Sequence, residues 1–300
     1  QLLRRASRLI YLLNLGVLAL VFVIGHKVSG AQSWIKLGPL LFQPSEFAKI
    51  AVVVTLADHL AENEDVDSLR GFVTPFLHVG MPMLLILLQN DLGTALVFLA
   101  ILFGMLYMAG ARARDLLTVS GMGALASPVV YFFLLKEYQK KRLLIFLNPY
   151  RDPTGAGYNV IQSTIAIGSG GFLGKGLFKG TQAQLNFLPA HHTDFIFAVV
   201  GEELGFIGGI LVLLVYFFII WRILAAISQA KDAFGRLVAT GIGCIFLFHI
   251  FVNIGMAMSL MPVTGIPLPF LSYGGSALLA DMIGVGLVAN IFMRRQKILF

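Results

Sequence analysis

The 300-residue sequence predicts an all-α polytopic membrane protein with eight transmembrane helices and a large ordered loop between the fifth and the sixth. Hydrophobic residues make up 58% of the chain and charged residues only 12%, whereas soluble domains carry about 25% charged residues. The mean hydropathy of +0.86 points the same way. A soluble fold cannot bury this much apolar surface, so the composition excludes a cytosolic enzyme or a nucleic-acid-binding protein, despite the net charge of +7.

Eight segments are long and apolar enough to cross a bilayer, which takes about 20 residues. The second is the least apolar because it contains Glu46 and Lys49, and a tight turn at Gln89–Asp91 separates the third from the fourth. The predicted segments are roughly 9–26, 45–60, 72–88, 92–109, 115–135, 195–221, 237–260 and 274–293.

The distribution of Lys and Arg predicts the orientation of these segments, because cytoplasmic loops of membrane proteins are enriched in both. With eight crossings both ends lie on one side, and the short loops opposite them hold only Lys27 and Lys36. We therefore predict cytoplasmic termini for this chain. The basic residues on the predicted cytoplasmic side are Arg4, Arg5, Arg8, Arg70, Arg112, Arg114, Arg222, Lys231, Arg236, Arg294, Arg295 and Lys297.

The predicted outer loop, residues 136–194, is glycine-rich but keeps many aromatic and aliphatic residues, which favours an ordered cap over disorder. We expect a short interfacial helix near Asn159–Gly168. The glycine run that follows matches neither phosphate-binding pattern, because Ser169 replaces a required glycine and Leu173 replaces another. Tight turns are the favoured interpretation, although Lys175 and Lys179 lie where they could meet an anionic headgroup.

Ionisable residues inside membrane segments usually face a partner or a watery cavity. Glu46 and Lys49 lie three residues apart on one helix face, which predicts an ion pair, either as packing or beside a cavity that opens outward. Glu202 and Glu203 fall in the sixth segment, roughly 12 Å along the helix from Asp194. His249 and Asp281, in the last two segments, are interpreted as buried polar partners.

Asp194 follows His191, His192 and Thr193 immediately before the sixth segment. One interpretation is structural, since Thr193 or Asp194 would suit the N-cap of the helix. A zinc site is disfavoured because adjacent histidines rarely ligate one ion and no third ligand has regular spacing. From these residues alone the N-cap is the favoured interpretation of the segment.

Seven motifs, in order, resemble the SEDS family, whose members shape, elongate and divide bacteria. They lie at 30–35, 43–49, 91–94, 155–163, 192–198, 201–205 and 267–275. The stretch Gly155–Ser163 looks more like the RodA branch than the FtsW branch. The resemblance predicts that residues 1–300 form a single transmembrane domain. The family fold has ten helices and eight are predicted here, which implies that the first two family helices are missing from this sequence. Two positions depart from the pattern: Asn90 replaces a common proline, and Asp281 replaces an apolar residue.

The resemblance implies a peptidoglycan glycosyltransferase in the bacterial cytoplasmic membrane that polymerises lipid II on the outer face during cell elongation. Asp194 would be the general base and undecaprenyl pyrophosphate the leaving group. It also implies a class B penicillin-binding protein and elongation-complex membrane proteins as partners. The candidate substrate-binding residues are Trp34, Glu46, Lys49, Arg142, Lys175, Lys179, Glu202, Glu203 and Ser272.

One carboxylate and several basic residues are sufficient for glycosyl transfer from lipid II. The hydroxyl nucleophile needs one general base, and the pyrophosphate leaving group needs positive charge. Arg142, Lys175, Lys179 and Lys49 are the candidate phosphate contacts, although Arg142 and its basic neighbours could simply anchor a helix end. Trp34 could stack on a sugar or anchor the interface. A divalent cation, Mg or Mn, is compatible with pyrophosphate, but no all-protein metal site is readable.

Two other functions use the same residues. A lipid-linked oligosaccharide flippase would line its path with Glu46, Lys49, Glu202 and Glu203. A scaffold would leave polymerisation to a partner. The sequence shows no internal repeat of the kind common in transporters, and this favours the enzyme.

Overall fold

The computed structural model describes residues 2–28, 31–38, 40–62, 69–155 and 157–295. Gly30, Ala156 and Lys297, which belong to the motifs or to the charge count above, lie outside the described residues. The helices are α1 (Leu2–Arg5), α2 (Ser7–Ile24), α3 (Pro44–Glu62), α4 (Val73–Leu88), α5 (Leu92–Met108), α6 (Ala113–Val129), α7 (Glu137–Leu147), α8 (Tyr158–Gly170), α9 (Thr181–Gln184), α10 (Ile196–Ser228), α11 (Ala233–Ala257) and α12 (Gly275–Met293). Short 3₁₀ segments lie at Leu69–Phe72 and Pro149–Arg151, and a π-helical segment at Val130–Leu134 extends α6.

Each of the eight predicted segments overlaps one helix, in order α2, α3, α4, α5, α6, α10, α11 and α12. By length and composition α2, α6 with its extension, α10, α11 and α12 can cross a membrane, and α4 and α5 are shorter apolar helices. The structure therefore confirms a polytopic, mostly helical membrane protein. The count of eight spans stays a prediction.

The expectation of an all-α fold is wrong in one element. Three antiparallel strands, β1 (His26–Val28), β2 (Ala31–Leu37) and β3 (Leu40–Phe42), form a small sheet between α2 and α3. Trp34 lies on the central strand opposite His26, and Ile35 pairs with Phe42. Along β2 the buried Ser33 and Ile35 flank the more exposed Trp34, which is the two-residue alternation of a strand with one covered face.

The turn between α4 and α5 is confirmed, and Asn90 explains its shape. Asn90 has a φ of 66°, a left-handed conformation that asparagine tolerates and that proline, fixed near −65°, cannot adopt. Asp91 then caps α5, because its carboxylate accepts the Thr94 backbone N–H at 3.0 Å and the Thr94 hydroxyl at 2.9 Å. The replacement of proline by Asn90 therefore goes with a left-handed turn.

The chain divides into two compact units, each discontinuous in sequence, and the prediction of a single domain stays a prediction. The first unit comprises Gln1–Thr118, Ile220–Phe248 and Gly275–Phe300. Its helices α3, α5 and α11 approach closely at Gly241, where a Cβ atom would come within 2.6 Å of Val53 and 2.8 Å of Met105. Small residues permit such close helix contacts inside membranes.

The second unit comprises Val119–Ile219 and His249–Gly274. Its apolar core is a cluster of buried residues that includes Ala166 on α8, Leu188, Phe195, Ala198 on α10 and Leu268. A helix, α8, is present where the short interfacial helix was predicted, and α7 is an additional helix in the same predicted outer loop. The interfacial position of α8 stays a prediction. Phe195 is 1% exposed, so the core holds the chain directly beside Asp194.

Helix α10 is not the continuous helix that the sequence predicts. It breaks at Gly205, which has a φ of 66° and a ψ of −161°. The glycine-rich segment satisfies the backbone groups that the break frees: Lys175 and Gly176 donate to the carbonyls of Glu202 and Glu203 at 3.0 and 2.9 Å. Backbone groups freed by a helix break in an apolar setting need such protein partners, because apolar surroundings offer none.

Candidate functional site

Asp194 lies in the second unit, two residues before α10, on a backbone held at three successive carbonyls. The carbonyl of His192 accepts the Tyr273 backbone N–H at 2.8 Å. The carbonyl of Thr193 accepts the Ser272 hydroxyl at 2.7 Å, and that of Asp194 accepts the Asn253 side-chain amide at 3.0 Å. The position of the carboxylate is therefore determined by α11 and by the segment before α12.

Two of these three partners have clear structural roles. The Ser272 hydroxyl also accepts the Leu268 backbone N–H at 2.8 Å, so it joins two loop segments, and its contact with substrate stays a prediction. Asn253 is fully buried and donates a second hydrogen bond to the Ile266 carbonyl at 2.7 Å. Sequence reasoning missed Asn253, although an asparagine in the apolar α11 was a usable signal.

The Asp194 carboxyl is in a partly desolvated environment near positive charge. Burial raises its pKa above the ordinary value, while the Arg142 guanidinium, the Thr193 hydroxyl and His192 oppose that rise. Gly265 lies beside the carboxylate, because a Cβ atom there would be 3.6 Å from Asp194 Oδ2. Gly265 also has a φ of +77°, which favours glycine, and no motif in the sequence marks it as a site residue.

The N-cap interpretation of Thr193 or Asp194 does not fit the start of α10. Helix α10 begins at Ile196, so Phe195 rather than Asp194 precedes its first residue. His191 Nδ1 forms a hydrogen bond with the Leu188 carbonyl at 3.0 Å. Among the residues that the structure describes, no group of three or more His, Cys, Asp or Glu side chains could hold a metal ion. Participation of Mg or Mn stays a prediction.

Arg142, on α7, lines a small cavity whose other walls are mostly apolar. The cavity is lined by Arg142, Ile145, Phe146, Val160, Ser259, Met261 and Val263. The guanidinium carbon lies 5.9 Å from the centre of the Tyr138 ring. Because Arg142 also acts electrostatically on Asp194, the structure brings the predicted base and one predicted phosphate contact into the same region.

The other predicted cations of the outer loop are placed differently. Lys175 Nζ donates to Glu202 Oε1 at 2.7 Å and to the Thr181 hydroxyl at 3.0 Å. The Glu202 carboxylate, which is fully buried, also accepts the Gln182 backbone N–H at 3.1 Å. Lys175 therefore stabilises the loop against α10, whereas Lys179 is exposed. Glu203 is buried, and substrate contacts by all of these residues stay predictions.

The ion pair between Glu46 and Lys49 lies in the first unit, at the start of α3. Lys49 Nζ is 2.9 Å from Glu46 Oε2, and each residue is only 2% exposed. Both line a narrow cavity with Phe246 of α11 and with Asp281 of α12. Asp281 is 7% exposed, in agreement with its interpretation as a buried polar residue. Trp34, in the same unit, is half-buried in the sheet.

Comparisons with known proteins agree on one family. The model of the FtsW/RodA/SpoVE family, described as cell cycle protein, matches residues 1–297. The peptidoglycan glycosyltransferase MrdB of Escherichia coli K12 is 44% identical over 290 residues, which cover 96% of this chain and 78% of the relative. A probable peptidoglycan glycosyltransferase FtsW of Geobacter sp. M18 is 41% identical over 285 residues, covering 93% of this chain and 77% of the relative.

Solved structures agree as well. A chain from a peptidoglycan synthase complex, described as coordinating polymerization and crosslinking, matches with a TM-score of 0.84 and 38% identity, covering 98% of this chain and 83% of that one. The rod shape determining protein RodA of Thermus thermophilus matches with a TM-score of 0.71 and 32% identity, covering 98% and 80%. The resemblance of the seven motifs to SEDS proteins is thus confirmed, and the chain belongs to the FtsW/RodA/SpoVE family.

Proposed function

We propose that this bacterial membrane protein, a peptidoglycan glycosyltransferase, polymerises lipid II with Asp194 as its general base. The hydroxyl of one sugar attacks the anomeric carbon of the lipid-linked strand, and its proton passes to the Asp194 carboxylate. The new glycosidic C–O bond forms as the bond from the anomeric carbon to phosphate breaks. Undecaprenyl pyrophosphate leaves with the electron pair.

The observation that carries this proposal is the setting of Asp194. Its backbone is held at three successive carbonyls, and its partly desolvated carboxyl has a raised pKa, which makes the carboxylate a stronger base. Arg142 supplies positive charge in the same region, where a departing pyrophosphate needs it. Relatives at 44% and 41% identity carry the name peptidoglycan glycosyltransferase.

The direct test is polymerisation of lipid II by the purified protein in liposomes, without any other glycosyltransferase. We expect glycan strands, detected by gel electrophoresis of labelled product. A protein that moves a fluorescent lipid II analogue between leaflets without making strands would overturn the proposal in favour of a flippase. Strands that appear only on adding a second polymerase would favour a scaffold.

The positions of the termini, the side of the active site and the partners complete the proposal. The bias of Lys and Arg predicts cytoplasmic termini and an outer position for the loop that contains Arg142 and Asp194. We propose a class B penicillin-binding protein as the crosslinking partner, within an elongation complex. This is supported by the match to a chain of a synthase complex described as coordinating polymerization and crosslinking.

Arg142 is expected to grip the pyrophosphate with its planar guanidinium. Arg142→Ala should lower kcat/KM for lipid II on the order of 10²-fold, as the loss of a transition-state donor does. Arg142→Lys should recover only part of this, because an ammonium lacks the paired donors. The control is Lys141→Ala, an exposed cation on the same helix. Equal, small effects of all three changes would support a helix anchor and shift the phosphate site to other cations.

The pH dependence of turnover should report the raised pKa of Asp194. The carboxylate is the active form, so kcat/KM should fall as the pH is lowered through that pKa. The fall should begin at a higher pH than for an ordinary aspartate, whose pKa is about 3.9. Arg142 opposes the shift, so Arg142→Gln should move the acid limb to still higher pH. If the acid limb of the pH profile stays in place in Arg142→Gln, the proposed electrostatic interaction between Arg142 and Asp194 is contradicted.

A further inference from the structure

The segment from Gly170 to Lys179, here called the glycine loop, exposes four large apolar side chains. Phe172, Leu173, Leu177 and Phe178 are 70%, 78%, 62% and 80% exposed. Single exposed apolar residues are ordinary, but a concentration in one short segment marks a surface that contacts something apolar.

The glycine loop is fastened to the break in α10. Beyond the bonds of Lys175 and Gly176, the backbone N–H groups of Phe206 and Ile207 donate to the carbonyls of Gly171 and Phe172 at 2.9 and 3.3 Å. Gly174 makes the contact possible, because a Cβ atom there would collide with the Glu203 carbonyl. The loop is therefore held at the height of Gly205.

The length of α10 gives that height. From Phe206 to Trp221, just before the predicted cytoplasmic Arg222, the helix rises about 24 Å at about 1.5 Å per residue, and a hydrocarbon core is about 30 Å thick. The part after the break thus crosses most of the hydrocarbon, which puts Gly205 near its outer boundary. Phe206 and Ile207, just past the break, are 57% and 50% exposed on the apolar surface of this span.

We propose that the glycine loop inserts Phe172, Leu173, Leu177 and Phe178 at the boundary of the hydrocarbon core and thereby anchors the outer loop to the bilayer. The Phe172 ring lies 5.3 Å from the Phe206 ring, so the exposed loop side chains continue the lipid-facing surface of α10. Lys179 is exposed beside Phe178, where its stem can lie along apolar surface while its ammonium meets lipid phosphates. The orientation proposed above makes this the outer leaflet.

The test places a fluorophore on the loop in the full protein. In a Cys244→Ser background, Leu173→Cys and Phe178→Cys are labelled with an environment-sensitive dye and reconstituted into phosphatidylcholine vesicles with phosphatidylglycerol. Thr154→Cys, an exposed polar position of the same outer loop, is the matched control. We expect blue-shifted emission at 173 and 178, at least twofold stronger quenching by nitroxide-bearing lipids than at 154, and weaker quenching by aqueous iodide.

Iodide quenching at 173 and 178 equal to that at 154, with no quenching by the lipid nitroxides, would overturn the proposal. So would labels that become shielded only after a partner protein is added, since the surface would then be a protein interface. Circular dichroism of each labelled variant confirms that it is folded. The readout needs neither substrate nor turnover, so its failure is distinguishable from failure of the proposed polymerase activity.

Discussion

Asp194→Asn should reduce polymerisation of lipid II by about 10²- to 10⁴-fold, the usual contribution of a positioned general base. Asparagine has nearly the shape of aspartate but cannot accept the hydroxyl proton. Burial penalises the Asp194 carboxylate, so the neutral amide should leave the thermal stability of the protein unchanged or slightly higher. The measurements are turnover, lipid II affinity and the melting temperature in detergent.

The matched control is Glu137→Gln, which neutralises an exposed acid of the same predicted outer loop. It should retain near-normal turnover, because its side chain is 85% exposed and its ion pair with Lys140 is a surface pair. Near-normal turnover of Asp194→Asn itself would refute the assignment of the base. A lowered melting temperature or poor expression of that variant would instead assign Asp194 a structural role.

Breaking the buried pair of Glu46 and Lys49 should destabilise the protein by about 3–5 kcal/mol, because the remaining charge stays buried without its partner. The two single changes, Glu46→Gln and Lys49→Met, should be strongly coupled. The double variant should recover much of the lost stability, and a double-mutant cycle of unfolding free energies measures this. Additive effects would show that the two residues are independent.

Asp281 makes the two single changes unequal. It lines the same cavity, so Lys49 keeps a second carboxylate nearby after Glu46→Gln, whereas Lys49→Met leaves two carboxylates facing the cavity without it. Lys49→Met should therefore be the more damaging change, and adding Asp281→Leu should relieve it. Arg4→Ala is the control: Arg4 is also 2.9 Å from a carboxylate, Asp58, but is 45% exposed, so its loss should change the stability far less than either buried change.

The ion pair and the helical segments were predictable because they depend on local pattern. A spacing of three residues puts Glu46 and Lys49 on one face of any helix, and neither can remain alone in an apolar interior. The apolar segments had to be helices, since a chain in lipid must satisfy its own backbone hydrogen bonds. The strand of Trp34 was missed because a short three-stranded sheet has no comparable constraint on its length.

The contacts around Asp194 could not be predicted from the sequence, because they involve residues that are distant along the chain. Asn253 lies 59 positions from Asp194, and Ser272 lies 79 positions from Thr193. Their contacts arise only when α11 and the segment before α12 pack beside the start of α10. The interpretation of the glycine run as turns was sound, but its role in bonding the broken α10 could not be read locally.

The sequence by itself determined the membrane-protein class, the places of the apolar helices and the family, and it singled out Asp194 as the candidate base, since each depends on composition, periodicity or motifs along the chain. Only the tertiary structure decided that α10 breaks at Gly205, that Lys175 neutralises Glu202, and that Asn253 holds the Asp194 backbone. The physical reason is that a broken helix or a buried charge is stable only when a distant segment supplies its hydrogen-bond partner. That pairing is a property of three-dimensional packing.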